Sequence, residues 1–381
     1  MLQEKQALPV VTIGENPVKL WGLTMARRVE RITRAAGLVP VEGTAANLPQ
    51  GPAILSNAAH AWDPAWFANI TGRPGVVLTL GGIPALAHGA DAGQTARVAQ
   101  AMARGTVLAD PSGFEVIAFE DGPTIENKTL RKRETPFLIP LTPATVRPIE
   151  RASYFGAYKG VTDVLTKYLW PEWALVLTRI CAKLGVTPNM VTAVGAAFCV
   201  AATVLFAQGH YWAGMATGLV FMVLDTVDGK LARCTITSSA WGNVFDHGMD
   251  LVHPPFWWWF WATGLGTWGL AYGTATFWWV QVAIQGGYVV QRLIEGAFIK
   301  WNGMHIHVWR RFDSRFRLIT ARRNPNMVIL FAAMLFARPD LGLVAVAWWT
   351  VLSCLVHAVR LVQASMVRAR GGVITSWLSE A

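Results

Sequence analysis

Residues 225–250 read DTVDGKLARCTITSSAWGNVFDHGMD, and four of these 26 residues are aspartates: Asp225, Asp228, Asp246 and Asp250. The first pair is spaced by three and the second by four, so on helices each pair projects from one face. Each pair also stands at the end of an apolar run, Trp212–Leu224 before the first and Phe245–Thr263 around the second. A short antiparallel connection would bring all four carboxylates into one pocket. Ionised acids beside hydrocarbon cost several kcal/mol each and repel one another, so bound divalent cations are the expected neutralising partner. Hard oxygen donors favour Mg2+ or Mn2+ over zinc. His247 and His253 lie close by, but His247 is turned off the Asp246 face and His253 precedes Pro254, so both weigh less as ligands. The competing reading is a solvated helix end, its acids paired with Lys230 and Arg233.

The rest of the chain fits a polytopic membrane protein. Of 381 residues, 53% are hydrophobic and only 15% charged, against about 25% charged in ordinary soluble domains. The mean hydropathy is +0.35. Four cysteines, Cys181, Cys199, Cys234 and Cys354, form no CxxC pair, which argues against a zinc knuckle or a disulfide framework. Residues 1–150 hold 14 basic and 13 acidic side chains, whereas residues 151–381 hold 19 and 10. The basic excess therefore belongs to the hydrophobic part, where it reads as a topology and anionic-lipid signal and not as a nucleic-acid surface.

Three regions follow from the patterning. Residues 1–135 read as a small cytosolic α/β domain, with a helix at Met25–Ala36 and strands at Ala53–Ser56, Val76–Leu80 and Glu115–Phe119. Residues 136–188 read as a basic linker ending in an amphipathic helix, Trp173–Leu184, suited to the headgroup plane. Residues 189–381 read as a domain of six transmembrane helices: Val191–Phe206, Trp212–Leu224, Phe245–Thr263, Thr274–Ile294, Met327–Phe336 and Leu343–Val362. Lys300 and the arginines from Arg310 to Arg323 lie between the fourth and fifth spans, whereas Gln208–Tyr211 and Gly264–Tyr272 carry no Lys or Arg. The basic side is expected to be cytosolic, with both termini there, since no signal peptide is apparent in the first 20 residues. The tryptophans from Trp257 to Trp279 are expected as an interfacial belt.

The run Asp225-x2-Asp228-Gly229-x2-Ala232-Arg233-x8-Gly242-x3-Asp246-x3-Asp250 resembles, at every position, the signature of the CDP-alcohol phosphotransferase family. With the Pro188-Asn189 turn, Thr192 and the six spans, the resemblance covers roughly residues 170–381. It implies a Mg-dependent membrane enzyme that transfers a phospho-alcohol group from a CDP-alcohol to an alcohol acceptor and releases CMP. It implies Asp225, Asp228, Asp246 and Asp250 as metal ligands, with Asp250 alternatively the general base. Gly229, Ala232, Arg233, Gly242, Asn189 and Thr192 become candidate donor-binding positions. At least one substrate would be a lipid, the protein a homodimer, and the location the plasma (inner) membrane with the active site facing the cytosol.

Donor and acceptor stay open between CDP-diacylglycerol and a CDP-polyol such as CDP-inositol. Arg292, Arg315, Arg317, Arg322 and Arg323 could hold a phosphorylated acceptor or touch anionic lipid. Asn16-Pro17-Val18-Lys19, the helix Arg27–Ala36, Gly37 and Leu38–Val41 resemble the early part of a sugar-type nucleotidyltransferase. The fusion is similar to bifunctional inositol-phosphate cytidylyltransferase/di-inositol-phosphate-phosphate synthase proteins. The Gly-rich loop expected before Pro17 is missing, so the domain is expected to have lost catalysis. Two other classes remain beside the transferase: a divalent-cation transporter using the Asp cluster, and an inactive lipid-binding scaffold.

Overall fold

A computed structural model describes residues 8–379. Its first part contains β1 (Pro9–Ile13), α1 (Met25–Ala35), β2 (Val39–Val41), β3 (Ala53–Asn57), β4 (His60–Trp62), α2 (Pro64–Thr71), β5 (Val76–Leu80), β6 (Ile83–Gly89), α3 (Ala92–Arg104) and β7 (Glu115–Ala118). Among the described residues these build a six-stranded sheet in the order β2-β1-β3-β6-β5-β7. Strand β6 runs antiparallel to β3 and β5, and the remaining pairings are parallel. Both faces are covered. Val10, Ile54 and Leu78 join one core with Val29 of α1, while Val11, Leu55 and Val77 face Val98 and Met102 of α3. Residues adjacent in sequence thus enter opposite cores, the two-residue period of a strand.

The hairpin β8 (Ile125–Asn127) and β9 (Lys132–Glu134) leads to β10 (Leu138–Pro140), which pairs antiparallel with β4. The segment from 136 was expected as linker, yet its first residues are a strand of the α/β unit. Proline spacing hid it, because β10 is a two-stranded edge where a missing N–H is tolerated. Helices α4 (Val146–Gly156), α5 (Val164–Tyr168) and α6 (Pro171–Leu184) follow.

Helices α7 (Pro188–Ala207), α8 (Tyr211–Cys234), α9 (Ala240–Gly264), α10 (Thr274–Gln281), α11 (Gly287–Asn302), α12 (Arg311–Phe316), α13 (Arg323–Leu335) and α14 (Pro339–Ala369) complete the chain. One π-helical turn, Val282–Gly286, joins α10 to α11. The six apolar runs fall on α7, α8, α9, α10–α11, α13 and α14, the fifth ending one residue past α13 at Phe336. Two helices among the described residues, α7 and α14, are long and apolar enough to cross a membrane. Of their apolar windows only 28% and 39% is buried inside the protein, so most of that surface is left for another apolar phase. The other four fall short for identifiable reasons. Helices α8 and α9 carry the aspartates, α10–α11 is interrupted, and the 13 residues of α13 rise about 20 Å against a hydrocarbon thickness near 30 Å.

Helices α7, α8 and α9 pack closely at two glycines. A Cβ at Gly264 would stand 2.0 Å from the Phe206 carbonyl oxygen, and one at Gly242 would stand 2.9 Å from the Asn189 amide oxygen. These residues let α9 touch α7 at both of its ends. The expected tryptophan belt is corrected in part. Trp257, Trp258 and Trp261 are buried, whereas Trp278 and Trp279 are exposed. Trp257 stacks edge-on against Phe206 and Phe221, and its indole N–H reaches the Cys199 carbonyl at 3.3 Å. A buried indole with a satisfied N–H is a core residue, which the run of tryptophans in sequence could not distinguish from a belt.

Candidate active site

Helix α8 ends in the first half of the motif and α9 begins with the second. Ser239 caps α9 by accepting from the Gly242 N–H at 3.0 Å, so a short turn separates the helices, as the spacing requires. The end of α8 is held from outside by the α/β unit. Arg28 of α1, 1% exposed, donates to the Cys234 carbonyl at 2.7 Å, and Arg31 donates to the Thr235 carbonyl at 2.8 Å. Two cations therefore satisfy orphan carbonyls at the negative end of the helix dipole. Lys230 does the same for α4, donating to the Ala157 carbonyl at 2.9 Å over the Tyr158 ring.

Asp225, Asp246 and Asp250 converge, with one carboxylate oxygen of each within 4.8 Å of the others. Asp228 is turned aside. Its Oδ2 accepts from the Thr192 hydroxyl at 2.6 Å, which fixes it one step from the three-carboxylate group. Thr192 thus positions an acid and does not face the cleft. Arg323, at the start of α13, donates to Asp225 at 2.8 Å and to Asp250 at 2.9 Å. All-oxygen donors at this separation fit a hard divalent ion, with Arg323 as the competing counter-charge. His247 Nδ1 lies 3.8 Å from Asp246, while His253 is buried against Phe221 and Trp257.

The acidic centre opens into a cleft of about 560 Å³, whose lining includes Asp225, Asp246, Asp250, Gly229 and Arg233. Arg233 keeps its Nε buried and unpartnered, and a Cβ at Gly229 would stand 3.1 Å from its guanidinium. Asn189 and Ala232 are not among the lining residues. Asn189 instead meets Gly242, and the Ala232 carbonyl accepts from the Thr237 N–H at 2.8 Å.

The rest of the cleft wall is largely basic, with Arg131, Lys159, Arg292, His305, Arg317 and Arg322. Burial, reinforced by neighbouring cations, lowers several of these groups. Burial and then Arg322 bring Arg131 to about 10 and Arg317 to about 9, and burial with Arg131 also lowers Lys159 and His305. Arg317 Nε and Nη1 are buried without a partner. Crowded cations holding free donors mark a place for an anion. Asp163 closes this wall. Burial opposes its charge, but Arg317, the Thr166 N–H at 3.0 Å and Asn324 at 3.0 Å outweigh that and hold its carboxyl below the usual carboxylate range. The cluster of arginines before α13 was legible in sequence, whereas Arg131, Lys159, His305 and Asp163 were missed as cleft residues. Lys159 and Asp163 lie in the segment that patterning reads as a basic linker, Arg131 just before it and His305 in the loop between the fourth and fifth apolar runs, so polarity was the only signal they gave.

One cleft thus joins three convergent carboxylates to a group of cations in which Arg317 keeps free guanidinium donors. Residues 185–308 match the CDP-alcohol phosphatidyltransferase family. Cholinephosphotransferase 1 of Gallus gallus is 34% identical over 128 residues, 31% of this chain and 37% of the relative. Choline/ethanolaminephosphotransferase 1 of Arabidopsis thaliana is 35% identical over 141 residues, 33% of this chain and 34% of the relative. The phosphatidylinositol phosphate synthase of Streptomyces avermitilis is 36% identical over 93 residues, 23% of this chain and 38% of the relative. The chain spans about a third of the length of the curated relatives it matches. These matches stand on the side of the transferase and lend nothing to the transporter. The matched segment contains all four aspartates, while Arg317, Arg322 and Arg323 lie outside it.

Proposed function

We propose that this chain is an integral membrane transferase that moves a phospho-alcohol group from a CDP-alcohol to an alcohol acceptor and releases CMP in phospholipid synthesis. The convergence of Asp225, Asp246 and Asp250 at the mouth of a cleft, inside the family match, carries the reading. Those carboxylates and Asp228 would hold divalent ions, Mg2+ or Mn2+ and two in number, whose charge would neutralise the donor pyrophosphate and the leaving phosphate. The Arg233 guanidinium, with its free Nε, would bind a donor phosphate beside Gly229. The acceptor hydroxyl would attack the phosphorus bearing the donor alcohol. Its P–O bond to CMP breaks, and the hydroxyl proton passes to the Asp250 carboxylate as general base. Asp250 suits that role because its side chain is half-exposed, unlike that of Asp225.

The basic wall supports an acceptor that itself bears phosphate, such as a polyol phosphate attacking CDP-diacylglycerol. The six helices α7, α8, α9, α10–α11, α13 and α14 are read as six spans. The α/β unit, the C-terminal end and the cleft would lie on the cytosolic side of the inner membrane, with the protein a homodimer. The α/β unit is read as a nucleotidyltransferase relative kept as a scaffold. Asn16, in the segment that suggested the kinship, donates to the Ala58 and Leu141 carbonyls at 3.1 and 3.0 Å and so serves the fold.

CMP release by purified protein tests the reading, with CDP-diacylglycerol, CDP-inositol and CDP-choline offered separately against lipid and polyol-phosphate acceptors. Release from one donor, reduced at least about 100-fold by Asp246→Asn, is expected, since a lost ligand removes several kcal/mol of charge stabilisation. No release from any donor would overturn it.

A further inference from the structure

Behind the basic wall, three potential ligands meet that the acidic centre does not use. Glu295 lies on α11, His307 in the turn before α12 and His357 on α14, and one ligand atom of each lies within 4.8 Å of the other two. Glu295 Oε1 and His307 Nε2 are already 3.3 Å apart. The edge of a tetrahedron with metal–ligand bonds of about 2.0–2.1 Å is about 3.4 Å, so this pair needs almost no movement to share an ion.

His357 supplies the independent observation. It is 2% exposed, and neither of its ring nitrogens has a hydrogen-bond partner. A buried imidazole in ordinary packing donates through one nitrogen and accepts at the other, and leaving both unmatched is unfavourable. The carboxylate is accounted for without it, because Arg322 donates to both Glu295 oxygens and Arg292 lies 3.5 Å away. Those pairs explain Glu295 but leave His357 facing the cluster with an unused lone pair. Asp313 on α12 is engaged by Arg360 of α14 at 2.6 and 2.7 Å and is not free to serve it.

We propose that Glu295, His307 and His357 form a second metal site, for a borderline transition ion of the Zn2+ type, separate from the aspartate centre. Two neutral imidazoles and one carboxylate suit zinc, with water completing the tetrahedron. One Glu295 oxygen binds the ion while the other keeps its bond from Arg322, the outer partner that orients a ligating carboxylate. The ion ties α11, the connection before α12 and α14 together, and thereby fixes Arg317 and Arg322 in the cleft wall. Its role is structural and does not depend on the transferase reading.

The test uses the full chain purified in detergent with Mg2+ present and no chelator. Elemental analysis after exposure to stoichiometric Zn2+ and removal of free metal is expected to find about one zinc per chain. X-ray absorption at the zinc edge should show imidazole scattering. The zinc should survive Asp225→Asn combined with Asp246→Asn and be lost in His357→Ala. A zinc-selective chelator should lower the melting temperature of the wild-type chain and leave that of His357→Ala unchanged. Absence of bound zinc in the wild-type chain, an all-oxygen zinc environment, or loss of zinc in the aspartate double variant would each overturn the proposal. If His357→Ala does not fold, the wild-type absorption spectrum decides alone. A chain that holds zinc here yet releases no CMP would overturn the transferase reading only.

Discussion

At the scale of single residues, the cleft is governed by charges that lack a local partner. Arg317 is buried with two free guanidinium nitrogens, so it penalises the empty protein and rewards an anion. Arg317→Ala is therefore expected to weaken the hold on an anion, while the loss of the cation beside Asp163 offsets any gain in melting temperature. In the same variant the KM for a phosphorylated acceptor should rise about 10- to 100-fold with kcat little changed, the loss of one charged hydrogen bond. Thermal unfolding and steady-state kinetics together check this, and a KM unchanged by the substitution would remove Arg317 from acceptor binding. Asp163 makes the opposite contribution. Its folded-state value is depressed, so its stabilisation is complete above the ordinary aspartate value near 4 and is lost as pH falls through the lower folded value. Melting temperatures of the wild-type chain should fall more steeply below about pH 4 than those of Asp163→Asn.

At the scale of elements, the motif works because two helix ends are held still. Helix α8 would fray after Asp228 if its last carbonyls were unmet, and Arg28 and Arg31 of the α/β unit meet them. Arg28→Ala should destabilise the full chain by about 2 kcal/mol, a lost hydrogen bond from a charged donor. It should also lower CMP release by loosening α8, although Arg28 does not line the cleft. Protease release of the α/β unit and melting temperature measure the first effect, and rates at saturating substrate the second. Helix α9 is placed instead by contact. With 2.9 Å between an added Cβ at Gly242 and the Asn189 amide oxygen, Gly242→Val should shift the first turn of α9 and cut CMP release at least about 10-fold, whereas Gly248→Ala, with open space around it, should be well tolerated. Proline has a constructive use in the same helix. Pro255 cannot bond the Leu251 carbonyl, and the Tyr288 hydroxyl takes that carbonyl at 3.0 Å, so the break in α9 becomes a link to α11.

At the scale of the whole molecule, the question is how the helices meet the bilayer. Exposed apolar side chains on α7 and α14, such as Val194, Val200, Leu352 and Leu355, leave an outer surface without a protein partner. With six spans, Gly266 and Arg310 lie on opposite sides. Gly266→Cys and Arg310→Cys, each in a chain whose four native cysteines are replaced by Ala, should react with an impermeant maleimide from opposite faces of sealed vesicles. Labelling from one face would require an odd number of crossings removed between them.

What the sequence determined alone is local in origin. Apolar patterning placed α1, α6 and a helix at each of the six runs, because a face or run of apolar side chains is written in consecutive residues, although among the described residues only α7 and α14 are long and apolar enough to cross a membrane. The spacing of Asp225, Asp228, Asp246 and Asp250 placed a carboxylate pair on each of two helices for the same reason. Tertiary structure decided what depends on neighbours distant in sequence. It turned Asp228 to Thr192, set Arg323 between Asp225 and Asp250, and drew Arg131 and Lys159 into a cleft wall with Arg317 from the far end of the chain. It also buried Trp257 and Trp261 where a belt was expected, since burial is set by what packs against a residue and not by its type. Composition could announce that charges must be compensated, but only the packed chain could choose which partner compensates each one.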